Sequence, residues 1–143
     1  MIRTLPSSVR DAALLVARLL LGVVLVAHGW QKVVTNGLAG TAEAFAGMGI
    51  PLAPVSAAFA GTVELVGGLL LIAGAATALV GVLVVLDMLG AALLVHIGGG
   101  VFVTDGGWEL VGVIGALALV LAAVGAGRFS VDHAMAARRP ATV

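Results

Sequence analysis

The sequence predicts an all-α membrane protein: a bundle of four transmembrane helices, both termini cytoplasmic, with a short interfacial helix in the first outer loop. Three observations predict it. Hydrophobic residues make up 62% of the 143-residue chain and charged residues 10%, with a mean hydropathy of +1.24; a soluble domain is about half apolar and a quarter charged. The apolar residues gather in runs that match crossings of about 20 residues. Clusters of Gly, Pro, Asn and Thr separate those runs. A soluble globule of this length could not hide so much apolar side chain. Soluble, disordered, collagen-like and nucleic-acid-binding classes are therefore excluded. Seven basic and seven acidic residues cancel, so no large charged surface awaits an anionic partner. Cysteine is absent, which removes disulfides, thiolate metal sites and thiol redox chemistry by this chain.

The chain reads as a single integral membrane domain over 1–143, with helices at about 11–34, 54–74, 77–98 and 107–126 and a cytoplasmic tail over 127–143. The first helix carries Arg18, His28 and Lys32 as its ionisable residues between Ala12 and Val34, and ends at Thr35-Asn36-Gly37. In the following connection Leu38, Ala42, Phe45 and Met48 recur at helical spacing, which predicts the short interfacial helix. Pro51 and Pro54 mark the next break. From Val55 to Val103 the chain is apolar apart from Glu64, Asp87 and His96. That is about two crossings at 1.5 Å per residue, so the chain folds back, at Gly74-Ala75-Ala76-Thr77. Gly98-Gly99-Gly100 and Thr104-Asp105-Gly106-Gly107 form the third connection, and the last helix ends at Gly125-Ala-Gly127-Arg128.

Arg3, Arg10, Arg128, Arg138 and Arg139 lie at the two chain ends, while the third connection holds no Lys or Arg. The positive-inside rule then places both termini in the cytoplasm, and Trp30 and Trp108 fall near the outer boundary. A cleaved signal peptide is not expected, because Arg18 interrupts the apolar region. Glu64-Leu65-Val66-Gly67 recurs as Glu109-Leu110-Val111-Gly112, a weak sign of a helix-hairpin duplication.

Ionisable residues at bilayer depth cost about 2.5–3.5 kcal/mol each, so Arg18, Glu64 and Asp87 are the informative ones. Each has glycine or alanine on its own helix face, the side that lets a neighbouring helix approach. Two readings stand side by side. In one, Arg18 neutralises one carboxylate and the other holds a proton, a buried network for proton transfer or for bonding a quinone carbonyl. In the other, the charges form a structural ion pair, or Arg18 snorkels to the membrane surface. A second group, His28, Trp30, Lys32, His96 and Glu109, gathers at the outer end and could line a quinone pocket. No metal site is expected from its spacing. Asp87 and His96 are nine positions apart and face opposite sides of a regular helix; they share a site only if the helix distorts.

The motifs Arg18-Leu-Leu-Leu-Gly22, His28-Gly29-Trp-Gln-Lys32, Glu64-Leu-Val-Gly-Gly68, Gly107-Trp-Glu109-Leu and Gly125-Ala-Gly127-Arg-Phe-Ser130-Val-Asp132 follow one another along the chain. In order and spacing, from about Ala17 to Asp132, the chain resembles the DoxX family of small four-helix membrane proteins. The resemblance implies a plasma-membrane protein linked with redox metabolism. Relatives of that kind include membrane subunits of thiosulfate:quinone oxidoreductases and members associated with redox-defence complexes. Arg18, His28, Lys32, Glu64 and Glu109 match the family's motif positions. The leading functional expectation is a quinone-associated subunit coupling a redox enzyme partner to the lipid bilayer, as a homo-oligomer or in a larger complex. A non-catalytic scaffold or assembly subunit and a small-solute or ion carrier are the alternatives.

Overall fold

The computed structural model of the protein describes residues 6–138. Helix α1 (Ser7–Trp30) runs on through a π turn, Gln31–Thr35. A short helix, α2 (Gly37–Gly47), leads to α3 (Ala53–Thr62), a π turn at Val63–Gly67, and α4 (Gly68–Ala73). Helix α5 (Thr77–Ala91) continues through a π turn, Ala92–His96, into a 3-10 turn, Ile97–Gly99. A second 3-10 turn, Val103–Asp105, precedes α6 (Glu109–Val124), and α7 (Val131–Ala137) closes the described chain.

Three of these continuous helices are long and apolar enough to cross a bilayer: Ser7–Thr35, Ala53–Ala73 and Thr77–Gly99. The fourth, α6, is apolar but shorter. Its 16 residues reach about 24 Å, less than a hydrocarbon core of about 30 Å. The expected helix at 107–126 is trimmed at both ends for backbone reasons. Gly106 and Gly125 take positive φ, 81° and 88°, a region glycine enters without cost. The first helix instead starts earlier than expected, at Ser7 behind Pro6. Ser8, Arg10 and Asp11 lower the local hydropathy without opposing helix formation. The expected tail contains a helix, α7, capped by Ser130, whose Oγ accepts the His133 amide at 3.1 Å. Arg3 and Arg139 lie outside the described residues.

The spans pack as two hairpins. The first and second lie along each other through α1, α4 and the Val63–Gly67 turn, and α5 lies along α6. Small residues set the first contact. A Cβ on Gly22 would meet the Gly68 carbonyl at 2.7 Å, and one on Gly68 would meet the Gly22 carbonyl at 2.8 Å. Only glycine at both positions allows this approach. One turn pair further on, Gly29 presses against the Leu65 backbone. Leu21, Leu25, Leu71, Val84, Ala118 and Leu121 fill the space between the hairpins.

Candidate functional site

Buried charge sits at two ends of this bundle. At the end that carries the termini, Arg18 is 2% exposed. Its Nη1 donates to the Leu71 carbonyl at 3.1 Å and to the Ile72 carbonyl, and its Nη2 donates to the Phe129 carbonyl. Leu71 and Ile72 belong to the last turn of α4, where carbonyls lack regular helical partners and the dipole favours a cation; the Leu71 carbonyl also accepts the Gly74 amide at 3.0 Å. Across the turn, Asp132 does the complementary work for α5. Its Oδ1 accepts the Ala76 amide at 2.7 Å, its Oδ2 accepts the Thr77 amide at 2.9 Å, and its own amide donates to the Gly74 carbonyl at 2.9 Å. Ala76 is a non-glycine residue at φ 50°; a cap supplied from the distant closing segment holds it there. Burial acts to raise the Asp132 carboxyl. The Thr77 and Ala76 donors and the Arg18 charge outweigh it and hold the group below its ordinary range.

At the other end, beneath α2, the two hairpins part around a cavity of about 530 Å³. His28, Lys32, Glu64, Asp87 and His96 all line it, within walls of Leu, Ile, Val, Met and Phe. Lys32 Nζ meets Glu64 Oε2 at 2.6 Å, with both side chains largely buried. Asp87 is 9% exposed, and its Oδ2 has no hydrogen-bond partner among the described residues. His96 Nδ1 lies 2.9 Å from the Gly106 carbonyl, so Nδ1 carries the proton there and Nε2 is the free nitrogen.

Arg18 therefore does not join Glu64 and Asp87. It contacts carbonyls seven or more positions beyond Glu64 on the second span, roughly 10 Å along the helix. Nor does it snorkel to the membrane surface; backbone carbonyls hold its Nη1 and Nη2 inside the protein, and its Nε has no partner among the described residues. The direction of helical side chains explains both charges on the first span. They tilt towards the helix N-terminus, which carries Arg18 to the terminal end and carries Lys32 back into the bundle. Lys32, not Arg18, is the cation beside Glu64.

Two other expected site residues lie elsewhere. Trp30 is 55% exposed and does not line the cavity. Glu109 accepts the Val103 amide at 2.7 Å, fixing the loop before α6, so the Glu64 and Glu109 copies of the short repeat do different work. Asp87 and His96, separated by the geometry of a regular helix, do share the cavity. The π turn at Ala92–His96 supplies the distortion. Such turns insert an extra residue per turn and recur at functional sites, and the first and second spans carry theirs beside Lys32 and Glu64. Phe45, Met48 and Ile50, in and after α2, also line the cavity; the helical spacing of Phe45 and Met48 was the signal for them. Asp11, 2% exposed, accepts the Arg128 amide at 3.3 Å and had no sequence signal, since it sits beyond the apolar run.

A family model described as DoxX matches residues 13–97. That stretch contains every ionisable residue of the cavity, but neither Glu109 nor the closing Gly125–Asp132 segment. Among curated proteins, the one named "Putative oxidoreductase CatD", from Bacillus subtilis (strain 168), is 38% identical over 85 residues, covering 58% of this chain and 59% of the relative. The chain thus spans about three fifths of the length of the curated relative it matches. No solved structure matches it.

Proposed function

The chain belongs to the DoxX family, and we propose that it is a quinone-associated membrane subunit that supports a redox complex. The observation that carries this reading is the cavity beneath α2: about 530 Å³ of apolar-walled space with one ion pair and one unpartnered carboxylate oxygen in it. Small-molecule sites are of this size, mostly apolar, with a few convergent polar groups. A quinone ring suits such a site, since it is flat and apolar with carbonyl oxygens that need donors. The relative's name as an oxidoreductase adds a redox context.

A bound quinone would supply the two-electron, two-proton chemistry, and a partner enzyme would supply the electrons. The residues here bind, orient and move protons. Lys32 donates to a carbonyl oxygen, and Glu64 holds the ammonium in place. Asp87, whose Oδ2 has no partner among the described residues, is placed to take up and release a proton. His96, anchored through Nδ1, offers Nε2 as a second polar contact, and His28 lines the same wall. The apolar walls exclude water and so strengthen each of these interactions.

Arg10, Arg128 and Arg138 lie at the terminal end of the described chain. With the positive-inside rule they support cytoplasmic termini, an outward-facing cavity in the plasma membrane, and α2 in the outer interface. The whole of 1–143 then forms one integral membrane domain, working as an oligomer or beside a redox enzyme.

The test is binding of a menaquinone analogue to the purified protein in nanodiscs. We expect measurable binding that Glu64→Gln weakens by about tenfold, the cost of losing one charge-assisted contact. A wild type that does not bind, or a Glu64→Gln variant that binds equally well, overturns the reading. Retention of partner proteins without any quinone binding would favour the scaffold alternative.

A further inference from the structure

We infer that the cavity is reached sideways, from within the bilayer, through a gap between the second and third spans, and that it takes ligands whose hydrocarbon tail stays in that gap. This rests on the quinone reading and specifies its substrate class: a ring with a polar edge and a long apolar tail, rather than a water-soluble ring.

The wall facing the gap is double-sided. Val55 and Phe59 from the second span line the cavity yet are 64% and 40% exposed, and Leu52, just before that span, lines it at 76% exposed. Leu86 and Leu94 from the third span line it from the other side at 54% and 51% exposed. A side chain that borders the cavity and also faces outward marks a place where the cavity meets its surroundings. Val55, Leu86 and Leu94 lie within their spans, so this mouth opens at membrane depth, and its side chains are apolar.

Packing between the hairpins explains why the gap exists. The third span is joined to the second through the Val63–Gly67 turn and α4, while α3 leans on α2. The second and third spans thus meet in their inner part and diverge beyond the π turns. The end beneath α2 is roofed instead. Phe45, Met48 and Ile50 cover the cavity with apolar side chains; Ile50 is buried, and Met48 is 48% exposed on its outer side. A path through this roof would lead a polar solute over an apolar lid, whereas the side path is continuous with lipid. The polar groups Lys32, Glu64 and Asp87 are largely buried, behind that apolar mouth. This order suits a molecule that enters head first and leaves its tail outside.

Gly90 provides the test. It lines the cavity on α5, and a Cβ built on it meets no atom within 4 Å. A larger side chain there enters open space rather than a packed interface, and replacing glycine within a helix does not oppose folding. The experiment measures binding of a tail-less naphthoquinone and of the same ring bearing a multi-isoprene tail, to wild type, Gly90→Ala and Gly90→Phe in nanodiscs. Wild type and Gly90→Ala are expected to bind both compounds. Gly90→Phe should weaken the tailed compound at least about tenfold more than the tail-less one. Equal effects on the two compounds, or none, overturn the side opening while leaving the quinone reading intact. A wild type that binds neither compound overturns the quinone reading and the opening together. Should Gly90→Phe fail to fold, a tail-length series on wild type decides. Affinity that holds or rises with tail length supports the opening, and exclusion of long tails overturns it.

Discussion

The two ends of the bundle differ in what holds their buried charge. At the terminal end, backbone holds Arg18 and Asp132: carbonyls of Leu71, Ile72 and Phe129 for one, amides of Ala76 and Thr77 for the other, while Arg18 Nε, Asp11 Oδ2 and Thr77 Oγ1 have no partner among the described residues. At the α2 end, among the described residues, the Lys32 and Glu64 side chains bond only to each other, and Asp87 Oδ2 has no partner. Backbone partners are fixed by the helices they terminate, so the first arrangement has one state. Side-chain partners can exchange protons or accept a new ligand, so the second has several. A buried charge is thus architecture where backbone groups hold it, and open to chemistry where only side chains do.

The comparison breaks most visibly at Arg18. Arg18→Met keeps the apolar stem and removes three donors to backbone carbonyls. Charged hydrogen bonds contribute about 1.5–3 kcal/mol each, and buried carbonyls left bare cost more. A loss of about 3 kcal/mol or more is expected, read as a lowered melting temperature and aggregation in detergent. Arg18→Lys should recover only part of it, since an ammonium lacks the planar fork that serves several acceptors. If Arg18→Met melts like wild type while losing ligand binding, Arg18 belongs functionally to the cavity and the division between the ends fails.

Arg18 also shows how far the sequence could be read. The apolar spans and the turn at Gly74–Thr77 were legible because burying an ionisable or turn-forming residue in lipid is costly, so such residues mark the breaks. The same cost singled out Arg18, Glu64 and Asp87. Which of them meet was not legible from depth alone, because a long side chain reaches several residues along its helix. The tilt of helical side chains would have assigned Lys32 rather than Arg18 to Glu64. The π turn at Ala92–His96 leaves no comparable mark in Ala92-Leu93-Leu94-Val95-His96, so the regular-helix argument kept Asp87 and His96 apart. The Ser130 and Asp132 pattern was visible in the closing segment, but a cap donated across the fold to α5 depends on tertiary contact and has no local signature.

A smaller effect is expected at Asp132. Asp132→Asn keeps one acceptor for the Ala76 and Thr77 amides and loses the charge that favours a helix N-terminus, a change of about 1 kcal/mol. Its pH dependence is more diagnostic. The folded carboxyl lies below its ordinary value, so its contribution is complete above about pH 4, the unfolded value, and disappears as pH falls through the folded pKa. Melting of the wild type should therefore weaken with acid below about pH 4, and Asp132→Asn should flatten that dependence. An unchanged acid profile would mean that Asp132 does not cap α5 in the membrane.

The least change in stability, and the sharpest separation of the two ends, is expected at Asp87. Its Oδ2 has no partner to lose, so Asp87→Asn breaks no bond at that oxygen and relieves the protein of a buried acid. An unpartnered buried acid costs stability, so its replacement by the isosteric, uncharged carboxamide is neutral or stabilising. The melting temperature should therefore hold or rise, within about 0.5 kcal/mol of wild type or above it. The carboxamide cannot carry a proton, so proton-coupled turnover in a reconstituted quinone-reduction assay should fall even where binding survives. This is the pattern of a residue retained for chemistry at some expense to stability. If Asp87→Asn instead destabilises the protein as much as Asp132→Asn does, Asp87 has a structural partner in the membrane, and the α2 end is as closed a piece of architecture as the terminal end.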